Sequence, residues 1–217
     1  MRVGVLGSGI VGRAVASRLG ELGHDVRMGS RDAGGPAAEW ASQEEVERAS
    51  AGDYREAADF GELIVNATAG GGSLPALRQA GANKLEGKVL LDIANPIEPG
   101  GEGTLSVANT DSLAEQIQRE FPAALVVKSL NTMNCQVMVH PGIVPGDHVV
   151  FVSSDHDAAK QAVREILVSF GWPTDRIVDL GALSTSRGTE ALLLLWLPTW
   201  RKLEGAQFNW GIHKAAD

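Results

Sequence analysis

The residues best placed to do chemistry are Gly7-Ser8-Gly9-Ile10-Val11-Gly12 and the later pair Ser30-Arg31. Glycines at this spacing have separate mechanical roles. Gly7 permits a tight turn after a strand, Gly9 leaves bare backbone for a pyrophosphate to approach, and Gly12 lets the following helix pack close to the strand. Ser8 adds a hydroxyl donor, and Ile10 and Val11 begin a helix whose free N–H groups and positive dipole end face the phosphates. A site for NAD places Asp or Glu near the end of the second strand, to hold the ribose 2′-hydroxyl. Ser30-Arg31 stands there instead. A carboxylate would repel a 2′-phosphate, whereas the guanidinium fork pairs with it and the serine hydroxyl adds a donor. The pattern therefore implies NADP. Asp32, one residue further on, reads as an N-cap or a solvated loop residue.

These groups need particular elements behind them. An apolar strand reads through Leu6, and Val11, Ala14, Val15, Leu19 and Leu22 recur at helical spacing until Gly20 and Gly23 stop the helix. A second strand covers about residues 26–29. Further on, residues 37–50 read as a solvated helix, with the 34–36 loop before it covering the adenine side. Tyr54 to Asp59 reads as a short helix. Leu63 to Thr68 reads as a strand, and Ala69 to Gly72 as a turn that lines the nicotinamide half. Strands are expected at 88–93, 125–129, 148–152 and 177–180. Helices are expected at 113–120, 157–170 and 189–203, the last interrupted at Pro198. The alternation predicts an α/β fold, a doubly wound, mostly parallel Rossmann-type sheet with a small C-terminal helical extension. Residues 1–180 would form the NADP-binding domain, and residues 181–217 a helical segment giving acceptor-site and dimer contacts. Three strand ends carry small or amide residues, Thr68-Ala69, Ala94-Asn95 and Asn131-Thr132. All three can converge on one crevice, and none offers a strong acid or base. A catalytic Lys128 is the rival reading. The Lys/Asn pair of hydroxyacid dehydrogenases opens a long helix, however, whereas Lys128 ends a strand.

Composition narrows the function classes. The 217-residue chain has a formal net charge of −8, which argues against a general nucleic-acid or anionic-membrane binder. One cysteine, Cys135, excludes an internal disulfide and a cysteine-rich metal site. The histidines at 24, 140, 148, 156 and 213 lack metal-ligand spacing, so no metal is expected. The longest apolar run, Ala191 to Pro198, falls far short of the ~20 residues that span a bilayer. Residues 1–7 already read as a strand, which leaves no room for a signal peptide, and a cytoplasmic protein is expected. An apolar C-terminal helix carrying Trp196 and Trp200, with Trp210 beyond it, suggests the seam of a homodimer.

Taken together, the residues resemble the NADPH-dependent coenzyme F-420 reductases, the reduced deazaflavin:NADP oxidoreductases. The likeness is carried by Gly7 to Gly12, Gly23-His-Asp-Val26, Gly29-Ser-Arg31, Val127 to Met133, Asp179 to Arg187 and Phe208 to Ile212, and so spans nearly the whole chain. The resemblance implies an NADP site at Ser8 to Val11 and at Ser30-Arg31, with nicotinamide contacts near Thr68, Ala69 and Gly70. It implies a coenzyme F-420 (deazaflavin) co-substrate bounded by Ala94, Asn95, Pro96, Asn131, Thr132 and the Leu183 region. Two departures stand out. Some members carry a second basic residue after Ser-Arg, where this chain has Ala33-Gly-Gly-Pro36, and some carry His-Thr in place of Asn131-Thr132. Similar modules also serve membrane ferric reductases, where a flavin accepts the hydride. The missing acid–base group suits transfer between two ring systems, which needs proximity and orientation above all. The alternatives are an NADPH-dependent reductase of a flavin, ferric chelate or small imine, and a non-catalytic NADP-sensing module.

Overall fold

The first strand sets the architecture. In β1 (Arg2–Leu6) every residue after Arg2 is buried, as expected of a strand covered on both faces. β1 lies between β2 (Asp25–Ser30) and β4 (Leu63–Asn66), parallel to both. The computed structural model describes residues 1–43, 48–98, 100 and 103–215. Among these, β3 (Ala49–Asp53), β5 (Val89–Asp92), β6 (Leu125–Ser129), β7 (Val150–Ser153) and β8 (Ile177–Asp179) complete a sheet of order β3-β2-β1-β4-β5-β6-β7-β8. Every pairing is parallel except β6 with β7. Chain direction along the sheet reverses between β1 and β4, and in such sheets ligands bind at this switch, outside the carboxyl ends of the strands.

Helices cover both faces. On one side α1 (Ile10–Glu21), α2 (Pro36–Gln43), α7 (Cys135–Val139) and α8 (Asp157–Phe170) pack a core around Val5, Met28, Val127 and Val163. On the other, α3 (Tyr54–Phe60), α4 (Gly70–Ala80), α5 (Ala82–Leu85) and α6 (Leu113–Glu120) pack around Leu6, Ile64, Leu77 and Ile117. The chain then adds α9 (Ser186–Ala191) and α10 (Leu193–Leu203). Its tail returns to the sheet, with Val149 N donating to Trp210 O at 2.9 Å and Trp210 Nε1 to Thr132 O at 3.2 Å. The doubly wound sheet and the C-terminal helices are those the alternation predicts. Among the described residues no helix is long and apolar enough to cross a membrane.

Three local expectations need correction. The helix expected over 37–50 ends at Gln43; residues 44–47 lie outside the described residues, and Ala49 and Ser50 begin edge strand β3. That strand reads Ala-Ser-Ala-Gly-Asp and carries no β-branched or aromatic residue, so pairing with β2, not propensity, makes it a strand. The 69–72 turn is instead the start of α4, for which Ala69 is the N-cap. Glycine is needed at its first position, because a Cβ on Gly70 would lie 2.0 Å from Asn95 O. The C-terminal helix breaks at Leu192 and runs unbroken through Pro198. The carbonyl left without its N–H donor is that of Leu194, an exposed residue.

Candidate active site

Local geometry builds a phosphate cradle at the end of β1. Gly7 has φ of +115°, and a Cβ there would meet Ala67 O at 2.5 Å. A Cβ on Gly12 would meet Gly7 O at 2.0 Å, so the first turn of α1 sits directly against the loop. Nothing lies within 4 Å of where a Cβ on Gly9 would be, which leaves open the approach to the N-terminus of α1, and no side chain caps that end. Arg13 braces the loop by donating to Ser8 O at 3.1 Å and Pro36 O at 3.1 Å. These features fit the pyrophosphate of a dinucleotide.

Two cavities adjoin across the loop after β4 and share Ala67, Thr68, Ala69, Gly71 and Gly72. The first, of about 660 Å³, is lined by Gly7, Ser8, Gly9, Ser30 and Arg31, and also by Tyr54, Pro75, Ala76 and Gln79. Ser30 Oγ donates to Asp32 O. Asp32 turns its carboxylate onto its own loop, accepting the Gly34 N–H at 3.0 Å, which is the loop role read from sequence. The second cavity, of about 540 Å³, is lined by Ile10, Val11, Gly70, Ala94, Asn95 and Asn131. Gly12 lies beneath the loop. Pro96 and Thr132 are buried behind the cavity wall, and Leu183 sits in the core on the α3–α6 side, so these three do not line it.

Several walls were not legible as site residues. Met133, Asn134, Cys135 and Met138 come from the α7 region, Ile97 and Glu98 from the loop after β5, and Leu193 and Trp196 from the C-terminal helices. Trp196 stacks on Phe208 with centroids 5.4 Å apart. Glu98 and the Cys135 thiol are the only ionisable groups lining this cavity among the described residues. Burial pushes the thiol pKa up, so it stays protonated.

A buried polar network fixes the cavity floor. Lys128 is 1% exposed, and its ammonium donates to Asp92 Oδ2 at 2.8 Å, Glu190 Oε1 at 2.9 Å and the Ala94 carbonyl. All three N–H bonds are engaged, so Lys128 has no proton to offer a ligand. Burial disfavours the ammonium, but Asp92 and Glu190 more than offset that and hold its pKa above the usual lysine value. Burial raises the Glu190 carboxyl pKa; Lys128 opposes the rise and Asp92 adds to it. Glu190 also accepts the Leu113 and Ala114 N–H groups at 2.8 and 3.1 Å, at the start of α6. On the other side, Asn66 Nδ2 donates to Asp92 Oδ1 at 2.8 Å, and Thr68 Oγ1 donates to Asn66 Oδ1 at 2.7 Å. The chain of contacts thus runs from the cavity wall to the buried cation.

The two amides of the floor hold one another. Asn131 Nδ2 donates to Asn95 Oδ1 at 2.9 Å, and Asn95 Nδ2 donates to Asn131 O at 2.7 Å. Leu130, buried and non-glycine, has φ of +64° just before Asn131. Such a conformation costs about 1–3 kcal/mol, and here it turns the end of β6 so that Asn131 meets Asn95.

Comparison with known proteins agrees with this geometry. The family model described as "NADP oxidoreductase coenzyme F420-dependent" matches residues 2–96. A crystal structure from Arthrobacter sp. FB24, provisionally described as an F420-dependent NADP-reductase, is 45% identical with a TM-score of 0.92, covering 98% of this chain and 99% of that one. Rat metalloreductase STEAP3 is 31% identical over 204 residues, 92% of this chain and 38% of its own length. The chain thus spans under two fifths of the curated relatives it matches. The Myxococcus stipitatus imine reductase in complex with NADP+ shares the fold, with 18% identity and a TM-score of 0.64 over 94% of this chain and 62% of that one.

Replacing Lys128 should be costly. Lys128→Met leaves two carboxylates buried without their cation and should lower stability by about 3–5 kcal/mol, read from denaturant unfolding. Glu190 titration gives a second check. Folding raises its pKa, so its contribution is present below the ordinary value of 4.5 and is lost as pH rises through the folded value. The stability of the protein relative to Glu190→Gln should therefore increase as pH falls from neutral toward that value; a constant or shrinking difference would count against the assignment.

Proposed function

Because the chain belongs to the coenzyme F420-dependent NADP oxidoreductases, we propose that it transfers a hydride between NADP(H) and a deazaflavin, coenzyme F-420. The observation that carries this reading is the second cavity. It continues directly from the dinucleotide cradle, and its lining is largely apolar. Lys128, buried beneath its floor, has every donor engaged, and the one carboxyl in its lining among the described residues is that of Glu98, exposed on the loop after β5. An enzyme acting on an alcohol needs a side chain positioned to move the hydroxyl proton. Transfer between two ring systems is served by a site that holds them face to face and keeps water away.

In this reading the nicotinamide ring supplies the hydride chemistry, and the chain's own groups position it. Ser8, Gly9, Ile10 and Val11 hold the pyrophosphate, and Ser30 and Arg31 hold the 2′-phosphate. Thr68, Ala69 and Gly70 place the nicotinamide half between the two cavities. Ala94, Asn95 and Asn131 form the floor against which the acceptor ring lies, with Pro96, Thr132 and Leu183 supporting that floor from behind. Residues 181–217 close the acceptor side through Leu193 and Trp196.

A second reading, reduction of a flavin or ferric chelate, is favoured by the match to a metalloreductase over nearly the whole of this chain. A paired assay separates the two. The purified protein with NADPH and coenzyme F-420 should consume both in equal amounts; turnover with flavin or ferric chelate and none with the deazaflavin would replace the first reading by the second.

The cofactor preference has its own check. Arg31 makes no salt bridge among the described residues and lines the first cavity. Arg31→Ala should weaken NADPH binding about ten- to hundredfold, the loss of one charge-assisted contact, and leave NADH nearly unchanged. Equal loss for both would remove the 2′-phosphate assignment. We also place a homodimer seam on α10, where Leu194, Leu195, Trp200 and Leu203 are exposed. Sedimentation at micromolar concentration should give a dimer, and Trp200→Glu a monomer.

A further inference from the structure

The first cavity has a shortage of donors where the 2′-phosphate is read. Ser30 Oγ is engaged with the Asp32 carbonyl. Arg13 is turned to Ser8 O, Pro36 O and Glu39. No second basic residue follows Arg31, since the loop reads Asp32-Ala-Gly-Gly-Pro36. Arg31 is the one cation in the lining among the described residues.

The fold brings another group to this place. Asp53 and Glu56 form a reciprocal capping box that starts α3 directly after β3. β2 allows the close approach of α3, because a Cβ on Gly29 would lie 2.7 Å from Ala57 Cβ and 3.2 Å from Tyr54 Cα. Tyr54, the first residue of α3, therefore lies beside the end of β2 and lines the cavity together with Ser30 and Arg31. The residue is 8% exposed and packs in the α3–α6 core. Its hydroxyl has no hydrogen-bond partner among the described residues. Burial raises the pKa of that hydroxyl, and the positive charge of Arg31 pulls it down, so the two groups sense one another.

We propose that Tyr54 is a specificity-determining residue, its hydroxyl donating to the ribose 2′-phosphate beside the Arg31 guanidinium and standing in for the absent second basic residue. The proposal rests on reading this cavity as the NADP phosphate site and is independent of the acceptor. A phenol suits the position. It stays neutral at physiological pH, so it donates without repelling the phosphate, and its rigid ring is fixed by the core.

Titration of the full chain with NADPH and NADH tests it. Tyr54→Phe keeps the ring and its packing, and should weaken NADPH about tenfold while changing NADH less than about twofold. Unchanged NADPH affinity, or equal loss for both dinucleotides, overturns the assignment. Wild-type protein that binds NADH as tightly as NADPH overturns the underlying phosphate reading instead. A measurement without substitution is also available, because Tyr54 is the only tyrosine in the chain. With ring-labelled tyrosine, the carbon bearing the hydroxyl reports its ionisation by NMR. Saturating 2′-AMP should raise that pKa by bringing a phosphate charge to the hydroxyl, and adenosine should not. The same response to both ligands overturns the proposal.

Discussion

A single buried ammonium holds together the face of the sheet on which the two cavities lie. Lys128, on β6, lies between β5 and α9, and its three N–H bonds reach Asp92, Glu190 and the carbonyl of Ala94. An isolated charge in such a place would be expelled or neutralised. Two carboxylates for one cation would in turn leave an excess of negative charge, and the start of α6 meets it with the N–H groups of Leu113 and Ala114. The geometry is demanding, so the groups that satisfy it cannot move independently. The loop carrying Ala94 and Asn95, the strand end before Asn131 and the C-terminal helix pair are fixed by one centre. The same engagement removes Lys128 as an acid or base. The centre that shapes the site thus also leaves it without a lysine proton donor.

Around that centre, the two cavities are built by different means. The first cavity and its cradle depend on absent side chains: Gly7 and Gly12 stand where a Cβ would strike backbone oxygen. Its polar side chains are few, with Ser30 and Arg31 at the end of β2. The second cavity depends on bulk, with Met133, Met138, Leu193 and Trp196 enclosing a floor of paired asparagine amides. A flat, largely apolar ring system suits such walls. The strained Leu130 backbone belongs to the same design, because it gives Asn131 its place at the edge of the floor.

Much of this was legible from residue types and spacing. The glycine turn, Ser30-Arg31 and the alternation of strands and helices depend on local chemistry, and they led to the doubly wound sheet. Helices 113–120 and 157–170 agree residue for residue, because Ser112 caps the first and Gly171 ends the second in a left-handed conformation. Other features depend on contacts distant in sequence. Glu190 looks like any surface acid of a helix until the fold brings it to Lys128. Asn66 has no signature beyond polarity. β3 has poor strand propensity and exists because β2 offers it an edge. Tyr54 reads as an ordinary helix residue, and only the close approach at Gly29 sets it beside Arg31. Leu183, whose neighbourhood carries part of the family likeness, lies in the core and lines neither cavity.

The central claim is direct transfer of hydride between two cofactors held in adjoining cavities, and isotope tracing tests it most directly. NADPH carrying deuterium at the transferring position of the nicotinamide should deliver that deuterium to the deazaflavin when the protein turns over in ordinary water. A reduced deazaflavin bearing hydrogen from the solvent at that carbon, with the label lost, would contradict the account.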